Sequence, residues 1–382
     1  METNQTENNE QQQDVTSWKE SPFLIIKGFL MGSADIVPGV SGGTMALITG
    51  IYDRLIFAIK SADLTAVKSV LTFKLREFFE HFHWKFFLLL FSGIFLAVIF
   101  FTRIVPLQVY MFTHPEIVYG LFFGLIVGSI VLLMSEIDKK ERTPINFLYL
   151  VGGALIGYWV VTLVPADTPE TFWFVFLSGS VAICAMILPG ISGSYLLLIF
   201  RKYDYILSLL GMVGTIDTVD AILNLLPFFL GALFGIILFS RILSWLLKNF
   251  HTATLMVLIG FLIGSLYVIW PYQERIFEDH VRDTEIVSMT DPIVQELQER
   301  ESVPPGPQYR RIGEIQNPDA NFDRLKRVEI ETVSRKLVSS QPYFPGINWP
   351  EADGDIDKTG GAAGIAVGLF LIIGIAYLRR KK

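Results

Sequence analysis

Long apolar tracts separated by short charged ones run through most of the chain. A helix needs about 20 mostly apolar residues to cross a bilayer. Six tracts meet that length: about 84–105, 115–135, 145–164, 221–247, 253–271 and 362–379. Two further tracts, 22–60 and 171–211, are each interrupted near the middle by Pro-Gly, as ADIVPGVSGGTMAL and CAMILPGISGSYLL. The first also carries Lys27, Asp35, Asp53 and Arg54. Proline removes a backbone donor and the neighbouring glycines loosen the helix further. Irregular backbone survives at membrane depth only inside protein or facing a watery cavity. Both tracts therefore read as re-entrant helical hairpins, entering and leaving on one side; two full spans joined by a short loop is the alternative.

Composition agrees with this pattern. Hydrophobic residues make up 52% of the chain and charged residues 18%, with a mean hydropathy of +0.48. That is too little charge to cover a soluble surface of this length. The charges crowd into 1–20, 60–85, 136–144 and 272–359. The net charge of −6 says little about partners, because most of the acid lies in one loop, and nothing points to nucleic acid. Cys184 is the single cysteine, which excludes an intramolecular disulfide and a thiolate metal site. No metal site and no cofactor are expected, and His114 and His251 lack partners at metal-ligand spacing.

Positive charge sets an orientation. With the tail LRRKK in the cytoplasm, counting back through single spans places 272–359 outside and EIDKKERT (136–143) inside. PADTPET (165–171) falls outside, and the basic 60–85 stretch and the N-terminus fall inside. Short basic loops land inside and short acidic ones outside, provided both hairpins are re-entrant. The expected organisation is a disordered cytoplasmic tail 1–20, lacking the apolar region of a signal peptide, and a first membrane repeat 21–164. The second repeat begins over 165–271, an external polar insert occupies 272–359, and 360–382 form the last span and basic tail. Whether the insert folds is left open.

The halves resemble one another. At an offset of 151, PGVSGGTMALITGIYDRLI (38–56) lies over PGISGSYLLLIFRKYDYIL (189–207), and Gly28, Ala34 and Ile36 lie over Gly179, Ala185 and Ile187. GIFLAVIFFTRI (93–104) recurs as GALFGIILFSRI (231–242), and GLIVGSI (124–130) as GFLIGSL (260–266). GGA recurs at 152–154 and 360–362. Small-residue spacing alone is common wherever membrane helices pack; the hairpin match couples Pro-Gly, Ser and Tyr-Asp in register. The expected fold is an all-α polytopic membrane protein with an inverted repeat, each half a re-entrant helical hairpin plus three transmembrane helices. Secondary transporters of this architecture bind substrate near the midplane.

Candidate chemistry follows from the turns. Pro-Gly-x-Ser-Gly before an apolar helix puts free backbone N–H groups, a partial positive charge and a hydroxyl deep in the membrane, an arrangement suited to an anion. Pro38, Gly39, Ser41 and Gly42, with Pro189, Gly190, Ser192, Gly193 and Ser194, are the expected substrate contacts; capping of the following helix is the structural alternative. Arg103 and Arg241 are paired by the repeat. Each is either an anion-recruiting guanidinium or one that snorkels to the headgroups. Asp53 and Asp204 are equivalent and expected to form structural pairs with nearby arginines. Asp35 has Met186 as its counterpart, which makes it the candidate for a coupling proton or sodium ion. The residues alone lead to a transporter with an anion-suited midplane site.

MGSADIVPGVSGGTMALITGIYDRLI (31–56) and ICAMILPGISGSYLLLIFRKYDYIL (183–207) resemble the paired signatures of a bacterial membrane family associated with polyprenyl-phosphate transport. The likeness covers about 22–271 and 360–380, and the 272–359 loop is longer than the family pattern. The resemblance implies a flippase, not an enzyme, in the bacterial inner membrane with both termini cytoplasmic. Its partner would be undecaprenyl phosphate or a similar polyprenyl phosphate, returned to the cytoplasmic leaflet for reuse as the cell-envelope lipid carrier. It points to Asp35 and the nine turn residues named above. Two other readings stand beside it. One is a transporter of a small soluble anion. The other is an undecaprenyl-diphosphate phosphatase, which calls for an arginine after the turn serine and glutamates in the other hairpin, whereas Gly42 and Gly193 follow the serines here.

Overall fold

The computed structural model describes residues 16–37, 40–62, 64–163, 168–214, 218–306, 308–313, 327–344 and 356–380. They divide into two compact units, one holding the residues up to 105, 122–269 and 366 onward, the other 106–121 and 270–365.

In the first unit, α1 (Ser21–Asp35) starts with proline in its first turn, where the missing N–H costs nothing. After the Pro-Gly break come α2 (Gly42–Ile48) and α3 (Tyr52–Lys60), which meet at 119°. Gly50 produces that bend with φ of 69°; the Ile51 N–H donates to the Ala46 carbonyl at 2.9 Å, the six-to-one bond of a left-handed helix cap. Two short helices, α4 (Leu64–Leu71) and α5 (Leu75–His81), lead into α6 (Trp84–Ile99), which runs on as a π-helical turn to Ile104. Next in the chain are α7 (Leu107–Thr113), α8 (Pro115–Glu136) and α9 (Pro144–Val161).

The second half repeats the hairpin as α10 (Phe172–Ile187), α11 (Gly193–Ile199) and α12 (Tyr203–Met212). Both ends of α11 and the start of α12 lie 151 residues after those of α2 and α3. The cap recurs at the same offset: Arg201 has φ of 50° and the Lys202 N–H donates to the Leu197 carbonyl at 2.8 Å. Here an arginine holds the conformation that glycine adopts without strain. The spans α13 (Thr218–Asn249) and α14 (His251–Ile269) follow.

Glycine sets how closely these helices cross. A Cβ on Gly93 of α6 would strike the Ile25 carbonyl of α1, and one on Gly231 of α13 would strike the Phe176 carbonyl of α10. Ile25 and Phe176 are 151 residues apart, so the same backbone approach is made twice. One turn further along, the small partner changes sides: Gly32 of α1 faces Ile94 and Ala97, whereas Gly235 of α13 faces Ile183 of α10. α9 and α14 cross through Gly153, Gly157, Gly260 and Gly264.

Five of the expected spans are long and apolar enough to cross a membrane: Trp84–Ile104, Pro115–Glu136, Pro144–Val161, Thr218–Asn249 and His251–Ile269. Counting the bent pair of α2 and α3 as one span makes six. Their outward faces leave Phe95, Leu155, Trp159, Phe229 and Leu233 exposed, large apolar side chains that lipid covers better than water. The chain is a multi-pass membrane protein.

The second unit contains α7, the start of α8 and the long insert. The insert folds as β1 (Gln273–Ser288), α15 (Pro292–Glu299), β2 (Gln308–Ile312) and β3 (Arg327–Pro342), an antiparallel sheet of order β1-β3-β2. Val294, Val328, Ile330 and Val333 are its buried core. The Arg311 Nε donates to Glu331 at 2.6 Å and the Tyr309 hydroxyl to Asp279 at 2.7 Å. The C-terminal helix begins here as α16 (Lys358–Arg380); its described apolar stretch, Lys358–Gly374, is shorter than the five spans and is not counted with them. Gly364 of α16 packs on Ile117 and Gly120 of α8.

Candidate functional site

The two hairpin breaks meet. Ser41 is the N-cap of α2, and its oxygen accepts the Gly43 N–H at 3.1 Å. Its hydroxyl lies 3.3 Å from the carbonyl oxygens of both Met186 and Leu188, and its single proton can serve one of them at a time. One turn along, the Thr44 hydroxyl oxygen accepts the Gly190 N–H at 2.9 Å. Gly43 presses against the Ile187 carbonyl with no room for a Cβ. Ser41, Thr44 and Gly190 are buried, so these bonds form away from water, where an unmade bond is costly. Gly190 has φ of 81°, a conformation that favours glycine.

The capping differs between the halves. At α2 the Gly42 N–H donates to the Asp35 carboxylate at 2.6 Å, so Asp35 and Ser41 between them occupy the first two amides. At α11 the N-cap Ser192 bonds to no backbone N–H of that helix; its hydroxyl lies 2.9 Å from that of Ser194. Met186 stands where Asp35 stands in the first half. Asp35 and Ser194 are exposed, while Pro189, Ser192 and Gly193 are buried. Pro38 and Gly39 lie outside the described residues.

The arginines lie elsewhere. Arg103 is in the π-helical turn at the end of α6 and Arg241 is within α13. Both are exposed, and neither is hydrogen-bonded to a turn residue among the described residues. Asp53 is exposed on α3 with His251 Nε2 at 3.8 Å, and Arg54 bonds Glu20 at 3.0 Å and Thr16 at 2.7 Å. Asp204 is half-buried on α12.

Two contributors carry no clear sequence signal. Thr44 is the one polar side chain of GGTMALI, but nothing in its spacing sets it apart as a site residue, and its counterpart is Tyr195, whose hydroxyl donates instead to the Val161 carbonyl at 2.9 Å. Lys202, 1% exposed, donates from Nζ to the Thr168 carbonyl at 2.9 Å and lies over the rings of Phe174 and Tyr205. It ties the segment preceding α10 to the far turn of the second hairpin. A lysine inside an apolar tract is the one available clue.

The fold and this site define a class: a polytopic membrane protein whose two broken apolar hairpins dock turn to turn inside the bundle. Residues 31–286 match the VCA0040-like family, described as undecaprenyl phosphate translocase-like. The chain belongs to that family. It is 39% identical over 252 residues to a polyprenyl-phosphate transporter of Vibrio cholerae serotype O1, covering 66% of this chain and 78% of the relative. It is 30% identical over 258 residues to a polyprenyl-phosphate transporter of Staphylococcus aureus, covering 65% and 85%. No solved structure matches the chain.

Proposed function

We propose that this protein transports a polyprenyl phosphate, as its relatives' names state for them, and that it acts as a flippase. Undecaprenyl phosphate is the substrate we assign, returned across the bacterial inner membrane for reuse. The observation that carries the reading is the buried docking of the start of α2, through Ser41 and Thr44, against the break of the second hairpin. Docked in this way, the breaks bring two sets of backbone dipoles and hydroxyls to one place, which suits a single phosphate.

Hairpins, caps and glycine crossings that recur at matching positions support a duplicated fold. In our reading the second copy is inverted, with both termini cytoplasmic and the insert external. The two entrances then face opposite leaflets. Asp35 is the coupling residue of this scheme. Its carboxylate holds the Gly42 N–H that a phosphate oxygen would otherwise take, and binding a proton or sodium ion would release it. Pro189, Gly190, Ser192, Gly193 and Ser194 supply the second turn, which has no acid in the equivalent place. Arg103 and Arg241 attract the headgroup at the two entrances, where their exposure leaves them open to lipid. Transport requires no bond cleavage, and no nucleophile with its base is part of the scheme.

The arginine assignment is tested with Arg103→Gln and Arg241→Gln in reconstituted vesicles. A charge-assisted bond contributes about 1.5–3 kcal/mol, so each variant should slow uptake of undecaprenyl phosphate by one to two decades while remaining folded. Wild-type rates from both would remove the arginines from the mechanism.

A further inference from the structure

We propose that residues 64–82 are an in-plane membrane anchor docked on the acidic phospholipid surface of the bilayer beside the first hairpin. α4 and α5 lie between α3 and the span that begins at Trp84, so both ends of the segment are held at the membrane. Ala66 and Ser69 are buried on the inner side of α4. Lys68, Phe73, Lys74, Arg76 and Phe79 face outward.

Phe73 is the clearest sign. It closes α4 with φ of 55°, and the Lys74 N–H donates to the Ser69 carbonyl at 2.9 Å. This is the cap that Gly50 makes at the end of α2. An aromatic residue in the left-handed region is a rare outlier, and this one is 87% exposed. Water offers nothing for that exposure; the headgroup–acyl boundary does.

The surface continues into lipid. Phenyl rings stack from Phe78 to Phe82 (5.1 Å), Phe82 to Phe87 (5.2 Å) and Phe87 to Phe91 (5.8 Å). Phe91 lies on the exposed face of the span α6. The charge on the outer face selects the lipid. Lys68, Lys74 and Arg76 are exposed on either side of Phe73 in the sequence, against Glu77 and Glu80, and Lys60 and Lys85 flank the segment. Glu77 is paired with Lys74 at 2.8 Å. Basic residues flanking an apolar tip attract anionic headgroups. The anchoring holds whichever lipid the protein carries.

The test places a nitroxide at Phe73→Cys in the full chain carrying Cys184→Ser. The protein is reconstituted into phosphatidylcholine vesicles with and without one quarter phosphatidylglycerol. In acidic vesicles the label should collide with oxygen and be shielded from a water-soluble nickel chelate, whereas a label at Arg300→Cys should meet the chelate. Adding Lys68→Gln should lower the ratio of embedded to water-exposed label about fivefold in acidic vesicles and leave it unchanged in neutral ones. A label at 73 as open to nickel as the one at 300 overturns the anchor. Immersion that ignores both Lys68 and vesicle charge overturns the acidic-lipid assignment. Shielding from both oxygen and nickel means a protein covers the tip, and overturns the proposal too.

Discussion

Thr44→Val tests the docking of the two turns with almost no change of shape. Valine replaces the hydroxyl with a methyl group, so packing around a residue that is 0% exposed is kept. The Gly190 N–H, held at 2.9 Å by that oxygen, loses its acceptor. Leaving a buried donor unpaired costs about 1–3 kcal/mol in water-soluble proteins. Interhelical hydrogen bonds in membranes measure lower, averaging about 0.6 and reaching about 1.7 kcal/mol, because the unfolded segments find partners in the bilayer too. The Gly190 donor sits in a fixed left-handed turn, and the Thr44 oxygen is its hydrogen-bond acceptor there. A donor fixed in this way belongs in the upper part of the membrane range, and a loss of about 1–1.7 kcal/mol is expected. The assay is reversible unfolding in mixed micelles, with Thr44→Ser as control: serine keeps the oxygen and should recover most of the loss. Transport should fall in Thr44→Val more than in Thr44→Ser. If valine and serine were equally stable, within about 0.3 kcal/mol of wild type, the Thr44–Gly190 bond would not hold the turns together and the site as drawn would be wrong.

Gly231→Ala should prevent stable accumulation, because its methyl group would run into the Phe176 carbonyl, whereas Gly152→Ala, with nothing within 4 Å, should accumulate as wild type; expression and thermal stability in detergent decide this. In intact cells with Cys184 replaced, a membrane-impermeant thiol reagent should label Arg300→Cys but not Lys140→Cys. The reverse pattern would refute the proposed orientation.

Apolar length made the spans legible, since the bilayer sets one length scale for them all. Pro-Gly made both breaks legible. The second bend of each hairpin was harder to read. Gly50 signals it in the first half, but in the second the same left-handed position is filled by Arg201, which no propensity rule marks. The insert was opaque for another reason. β1 is exposed along most of both faces, so RIFEDHVRDTEI lacks the alternation that a half-buried strand shows, and bulges after Ile276 and Val281 shift what alternation there is. The pairing of the turns came from tertiary packing. The sequence marks Ser41 as a cap, but the carbonyl oxygens of Met186 and Leu188 that it reaches lie 145 and 147 residues away.

The central claim, that this protein moves a lipid phosphate, is tested most directly by a leaflet-resolved uptake assay. The purified chain is reconstituted into vesicles carrying undecaprenyl phosphate in the outer leaflet, with inorganic phosphate offered in parallel. The account predicts protein-dependent loss of the lipid from the outer leaflet, slowed by Thr44→Val, and no accumulation of inorganic phosphate. Inorganic phosphate uptake with the lipid left in place would contradict it.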